Sequence, residues 1–344
     1  MLKVQNLTAC IKKDGKEFKI LNDISFTIDE GEVLGVAGES GCGKSMTALS
    51  IAKLLPQAVK ITNGKIIYKS CDLTPLSEKE MCGIRGKEIS VIFQDVRQAL
   101  NPTMKAGKQI TETLELERDH KKINKEQRQK NKELTLEILA SLGFNDPQKT
   151  FDAFPHQLSG GMCQRIMTAI AAIRRPKLLL GDEPSSSLDE ESQRQCLSML
   201  MKMNRDYKMS LLLISHDLSI IQQYCSRFII MYAGRIVEEG PAEMFFSPLH
   251  PYTLALLKAI PHKDKRGKIL ENIPGKVPSV EDQLPGCPFA PRCPKAQSIC
   301  KETFPPEYFH RKGEVGAQSR KVYCYFPVGE EKTTTAFHKE GTYE

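Results

Sequence analysis

Eight consecutive residues, Gly38-Glu39-Ser40-Gly41-Cys42-Gly43-Lys44-Ser45, satisfy the pattern G-x4-G-K followed by Ser or Thr. The spacing suits a polyphosphate. Its glycines let backbone N–H groups turn inward where side chains would block them. Lys44 is placed to reach the outer two phosphates, and the Ser45 hydroxyl to ligate Mg²⁺. Cys42 reads as a small spacer whose backbone is used rather than its thiol. A second group lies downstream, where Leu178, Leu179 and Leu180 lead to Gly181, Asp182 and Glu183. A buried strand that delivers Asp182 beside the phosphate loop supplies a Mg²⁺ partner through water. Glu183 then sits where it can orient and polarise an attacking water. An acidic pair after an apolar strand also describes a plain exposed strand end, and the phosphate loop upstream favours the chemical reading.

A third group is made of cysteines. Four of the 11 fall late in the chain, at Cys287, Cys293, Cys300 and Cys324, spaced C-x5-C-x6-C-x23-C. Four thiolates suit a soft metal, either zinc or an iron–sulfur cluster. The spacing does not fit the paired C-x2-C knuckles of a zinc ribbon. Reduced, unliganded thiols remain open as well, and a cytosolic disulfide is the least expected outcome. Pro288, Pro291 and Pro294 stiffen this loop. Cys10, Cys42, Cys71, Cys82, Cys163, Cys196 and Cys225 are scattered.

The surrounding pattern supplies the elements that would hold these groups. KVQNLTACI and KILNDISFTI alternate as strands around an Asp-Gly turn. GEVLGVAGES is a buried strand ending in the glycine loop, and MTALSIAKLL follows with helical spacing. From about Arg85 to Pro155 the chain reads as a helical subdomain inserted into an α/β core. Within it, Leu114 to Glu133 is densely charged and reads as a solvated helix face. Further on, Thr135, Ile138, Leu139 and Leu142 share one face, with Gly143 as a C-cap. PKLLLGDEP and MSLLLISHD are two more buried strands, and FIIMYAGRIVEEG is a hairpin. After about Pro261 the periodicity is lost and proline, glycine and cysteine take over, which marks a domain boundary.

The 344 residues suit one large domain or two unequal ones, with an ordinary 40% apolar and 26% charged content. The net charge of +7 fits work beside an anionic membrane, weak nucleic-acid binding or a merely solvated surface. The first residues lack a basic stretch followed by an apolar core, and no run of 18 apolar residues occurs. The expected location is therefore cytoplasmic.

Leu158-Ser159-Gly160-Gly161-Met162-Cys163-Gln164-Arg165 narrows the class. LSGGMCQR before an apolar helix resembles the signature motif of the ABC ATPase family. Other family positions follow in order: Gln94 in VIFQD resembles the Q-loop, Ser187-Leu188-Asp189 the D-loop, and His216 in LLLISHD the switch histidine. The likeness covers roughly residues 1 to 260. It implies a P-loop ATPase core with a mixed sheet, antiparallel N-terminal strands and an inserted helical subdomain at about 85–165. It implies ATP held from Gly38 through Met46, with Mg²⁺ reached by Ser45, Gln94 and Asp182. Glu183, His216 and Gln94 become the catalytic set. In this family two subunits pack head to tail. Ser159, Gly160, Gly161 and Gln164 would then meet ATP held by the partner's phosphate loop, with Asp189 at the same interface. The family's adenine-stacking aromatic falls at Ile11, with Phe18 nearby, so Ile11→Tyr is expected to tighten ATP binding.

SPLHPYTLALLKAIP and NIPGKVPSV, together with the cysteine-rich run, resemble the C-terminal extension of oligopeptide and dipeptide importer ATPases. That resemblance implies an irregular Cys-rich extension over 261–344 holding an iron–sulfur cluster of the 4Fe–4S type. It also implies two membrane permease subunits, a paralogous ATPase partner (or a homodimer), and an external solute-binding protein, without nucleic acid. The location becomes the cytoplasmic face of the cell membrane. Nickel importers share the core motifs and stay in play as an alternative. A soluble ABC ATPase acting on nucleic acid or ribosomes is the alternative of another class. It fits less well, because one phosphate loop, one signature and no sustained heptads occur here.

Overall fold

A computed structural model describes residues 1–115, 124–186, 188–259, 272–310 and 320–329. Asp14 and Gly15 both take left-handed backbone, with φ of 51° and 75°. They close β1 (Leu2–Lys13) and β2 (Lys16–Ile28) into the expected hairpin. β3 (Val33–Ala37) then runs into the glycine loop, which ends at α1 (Lys44–Ile51). β4 (Val59–Tyr68) and β5 (Cys71–Asp72) complete a four-stranded sheet in the order β2-β1-β4-β5. After α2 (Glu78–Ile84) comes β6 (Ile89–Ile92).

The helical insertion follows: α3 (Val96–Ala99), α4 (Ala106–Glu115), α5 (Lys125–Ser141), α6 (Pro147–Asp152) and α7 (Gly160–Ala172). It begins later than the Arg85 expected from sequence, because β6 pairs in parallel with β7 (Leu178–Asp182) and so belongs to the core sheet. Of the charged stretch Leu114 to Glu133, residues 116–123 lie outside the described residues, and Asn124 caps α5 by accepting from the Gln127 N–H at 2.8 Å. Leu139 and Thr135 are fully buried, as the shared face requires.

α8 (Glu190–Tyr207), β8 (Ser210–Ile214), α9 (Leu218–Tyr224), β9 (Arg227–Tyr232), β10 (Arg235–Pro241) and α10 (Pro251–Ala259) follow. Among the described residues the main sheet has eight strands, in the order β11 (Tyr308–His310), β12 (Arg320–Val322), β10, β9, β3, β8, β7 and β6. β3, β7 and β8 are buried at every position, as a parallel sheet covered on both faces demands. Their side chains alternate between two cores: Leu179, Leu211 and Leu213 face the layer of α7, α8 and α9, whereas Leu178, Leu180, Leu212 and Ile214 face α1 and the antiparallel sheet.

The described part of the C-terminal extension is largely irregular, with a few short elements. Besides α11 (Ser298–Glu302), it contributes β11 (Tyr308–His310) and β12 (Arg320–Val322), and β12 pairs with β10 at the edge of the core sheet. Buried Arg320 pairs with Glu238, whose carboxylate also accepts from the Leu249 and His250 N–H groups at 2.8 and 3.1 Å. Three-residue strands are too short for alternation to reveal, and an ion pair spanning the chain leaves no periodic mark. The expected boundary near Pro261 lies outside the described residues. Among the described residues no helix is long and apolar enough to cross a membrane.

Candidate active site at the end of the parallel strands

β3, β7 and β8, parallel neighbours inside the sheet, deliver the phosphate loop, the acidic pair and the histidine past their C-terminal ends. The loop is tight. A Cβ at Gly38, whose φ is 150°, would sit 2.2 Å from the Met231 carbonyl oxygen, and one at Gly43, with φ of 105°, 2.8 Å from Leu21. No side chain caps the start of α1, so its first-turn amides are left for an anion. Lys44 is buried and folds over the loop, its ammonium donating to the carbonyls of Gly38 at 2.7 Å and Glu39 at 3.0 Å. Cys42 is fully buried, and burial raises its thiol's pKa. Ser40 and Gly41 are exposed at the loop's outer rim.

Asp182 ends β7. Burial pushes its carboxyl above the usual carboxylate range, opposed by a hydrogen bond from Ser45 and by the charge of Lys44. Its Oδ1 is buried without a hydrogen-bond partner. An orphaned carboxylate oxygen beside the Ser45 hydroxyl is a fitting pair of ligands for Mg²⁺. Glu183 takes a left-handed φ of 51°, a conformation that costs energy at a non-glycine residue. Its carboxylate lies 3.3 Å from His216 Nδ1. Gln94 is exposed just past the end of β6, whose Ile92 pairs with Gly181, so it stands at the joint between the sheet and the helical insertion.

The signature stands apart from the phosphate loop. Ser159 is exposed and caps α7, accepting from the Met162 N–H at 3.2 Å, with Gly160 and Gly161 in the first turn. Gln164 corrects an expectation. It is only 1% exposed, on the face of α7 that also buries Cys163, Met167 and Thr168. Asp189 caps α8 through a 3.0 Å bond from the Ser192 N–H, which holds its carboxyl below the usual range. Ser187 lies outside the described residues.

Above the loop opens a cavity of about 620 Å³, within the range of small-ligand sites. Gly41, Gly43, Lys44, Ser45 and Met46 line its phosphate end. Lys19, Ile20 and Asn22 of β2 and the turn at Ala233-Gly234 line another wall, and Pro278 to Pro288 of the C-terminal extension a third. Ile11 and Phe18 are cross-strand partners and neither lines this cavity. Ile20 does: it lies two residues further along β2, at an irregularity in the pairing with β1.

Two contacts missed by sequence reasoning tie later parts of the chain, α10 and the extension, to the loop. The Glu39 N–H donates to Tyr252 Oη at 2.8 Å, so this amide is committed within the protein rather than turned to a phosphate. The Glu39 carboxylate accepts two bonds from Arg292, at 2.7 and 3.1 Å. Arg292 is the cation of the run APRCP, yet nothing local reveals a partner 253 positions away.

The four late cysteines converge on one small apolar cavity of about 20 Å³, roughly the room of a single water. Burial raises the thiols of Cys287, Cys293 and Cys324, reaching about 11 at Cys287 and about 12 at Cys324. His250 lines the same cavity. Its Nδ1 accepts from the Tyr252 N–H at 3.0 Å, and its buried Nε2 has no hydrogen-bond partner. The donor set suits a soft metal, but among the described residues no three His, Cys, Asp or Glu side chains are arranged to hold one.

A phosphate loop between a parallel strand and a helix, faced by an acidic strand end, defines a P-loop nucleoside triphosphatase, and the separate signature helix narrows it to the ATP-binding cassette type. Comparison with known proteins agrees. The ABC transporter family profile matches residues 21–186, and that of the oligopeptide/dipeptide transporter C-terminal region matches residues 237–300. The chain is 42% identical over 327 residues to a dipeptide transport ATP-binding protein of Bacillus subtilis, covering 94% of each chain. It is 40% identical to the protein of the same description in Haemophilus influenzae, covering 96% of this chain and 97% of the relative. Among solved structures, the dimeric bacterial ABC transporter cassette MJ0796 is 26% identical with a TM-score of 0.64, covering 70% of this chain and 99% of the cassette. The chain belongs to the ATP-binding subunits of ABC transporters, in the oligopeptide/dipeptide branch. It is an ATPase.

Proposed function

We propose that this chain hydrolyses ATP to power uptake of oligopeptides or dipeptides through two membrane permease subunits. The observation that carries the reading is that its likeness to peptide-transport subunits runs through the C-terminal region, beyond the ATPase core that all transporters of the class share. The proposed seat is the cytoplasmic face of the membrane, beneath the permeases, with solute delivered by an external binding protein. A paralogous ATPase is the expected dimer partner.

In this reading Lys44 and the first turn of α1 hold the phosphates, with Ser45, Asp182 and Gln94 around Mg²⁺. The metal supplies charge neutralisation on the phosphate oxygens. Glu183 is the general base. His216, 3.3 Å from it, orients Glu183 and reaches the outer phosphate. Ser159 and the Gly160 and Gly161 amides cover the partner's nucleotide, so ATP closes the dimer and hydrolysis releases it. The four-cysteine cavity is proposed as a structural site for a soft metal, either an iron–sulfur cluster or zinc, and no catalytic step depends on it. Iron, sulfide and zinc analysis of the chain purified without oxygen tests this; absence of all three removes the metal.

Purification of the tagged chain from its own membranes in mild detergent, followed by mass spectrometry, tests the transport reading. Two permeases and a second ATPase are the expected companions. Recovery in the soluble fraction alone, with ribosomes or nucleic acid, would leave the ATPase and remove the transporter.

A further inference from the structure

The nucleotide cavity has a phosphate end that the loop explains and a far end that it does not. Among the described residues no aromatic side chain lines the cavity, so a purine held there packs on aliphatic groups. Apart from Met46 beside the phosphate loop and Ala233 in the facing turn, the apolar groups there are Ile20 on β2 and those of the segment from Pro278 to Pro288. Two side chains stand out in that segment. Val280 is a large apolar residue left 44% exposed. Leu284, half-buried, lines the same cavity. Covering such groups with a flat ring removes apolar surface from water on both partners.

The segment is built to keep those groups in place. The Ser279 N–H donates to Asp282 Oδ2 at 2.5 Å and Gln283 Nε2 donates to the Val280 carbonyl at 2.6 Å. Part of its polar demand is thereby met within its own turn. Glu281 pairs with Lys13 at the end of β1, 2.5 Å away. That pair is exposed and contributes little energy, but it bridges the segment to the hairpin that carries Ile20. On the other side Arg292, almost fully buried, donates to the Pro274 carbonyl at 2.8 Å while holding Glu39 of the phosphate loop. One guanidinium therefore fixes the segment's approach and the loop together. A wall held before the ligand arrives loses little entropy on binding.

We propose that Pro278 to Pro285 of the C-terminal extension is the base-binding wall of the nucleotide site, with Val280 and Leu284 joining Ile20 in the contact that an aromatic residue on the first strand would otherwise make. The proposal rests on the reading that this cavity takes ATP. It gives the extension a role in nucleotide affinity that does not involve its cysteines.

Calorimetric titration of the full chain with Mg-AMPPNP, and in parallel with Mg-tripolyphosphate, separates the two ends. Val280→Ser combined with Leu284→Ser is expected to weaken AMPPNP roughly tenfold and to leave tripolyphosphate unchanged. Val280→Tyr is expected to tighten AMPPNP, again without effect on tripolyphosphate. Val280 is exposed in the free protein, so Val280→Tyr does not burden the fold, and a gain cannot come from misfolding. Unchanged AMPPNP affinity in these variants, or equal losses for both ligands, would overturn the proposal. Failure of the parent chain to bind either ligand would overturn the nucleotide reading beneath it.

Discussion

The two ends of the nucleotide cavity are made in opposite ways. At the phosphate end a single loop of eight residues does most of the work, and its chemistry is in the backbone: glycines without room for a Cβ and an uncapped helix start. At the far end three stretches distant in sequence meet, and the chemistry is in side chains that are individually unremarkable, such as Ile20, Val280 and Leu284. A local motif depends on its own residues and their spacing. An assembled wall depends on the contacts that bring its parts together, and here those run through Arg292 and Glu39.

The comparison breaks most visibly at the chemical step. Glu183→Gln is expected to lower ATP turnover by about 10²–10⁴-fold while ATP binding persists, since neither end of the cavity loses a binding contact. Normal single-site turnover, measured as phosphate release, would remove Glu183 from its role. The next largest effect is at the joint between the two ends. Arg292→Ala strands the Glu39 carboxylate and is expected to cost about 3 kcal/mol, the scale of a broken buried pair. Denaturant unfolding and limited proteolysis read it: the C-terminal extension becomes protease-sensitive, and ATP affinity falls with it. An unaltered digestion pattern would show that the wall is held by other means.

A smaller effect of opposite sign is expected at Asp182. Burial raises its folded pKa above the ordinary carboxylate value. Within the window between the two values the folded chain binds more protons than the unfolded one, so stability falls as pH rises through it, and the full cost persists at neutral pH. Asp182→Asn removes that cost. It is expected to stabilise the nucleotide-free chain at pH 7 by about 1 kcal/mol while abolishing Mg²⁺-dependent hydrolysis; thermal melts and ATPase assays check both. The smallest effect is at Ile11. The sequence resemblance places adenine stacking there, but Ile11 lies outside the cavity lining. Ile11→Tyr is accordingly expected to leave AMPPNP affinity unchanged, and tightening would return the base to the first strand.

What could be read from the sequence follows the same division. The phosphate loop, Asp182, Glu183, His216 and the signature are contiguous patterns at strand or helix ends, and their spacing carries their meaning. The alternation of β1 and β2 and the apolar runs of β3, β7 and β8 are periodic signals of the same local kind. Gln164 went astray because a motif does not say which face of α7 each of its residues takes. The placement of the extension was out of reach for a different reason. Arg292–Glu39 and Arg320–Glu238 are single long-range pairs, 253 and 82 positions apart, and β11 and β12 are three residues each. A lone buried arginine in a proline-rich run was the one available hint. It names a cation that needs a partner without saying which.

The account stands or falls on transport driven by this chain's ATP site. Uptake of a labelled dipeptide by cells lacking the chain, supplied either with the parent sequence or with Glu183→Gln, tests it most directly. The account predicts that the parent restores uptake and that the variant, present at the membrane in equal amount and still binding ATP, does not. Equal uptake with the parent, with the variant and with neither would contradict it.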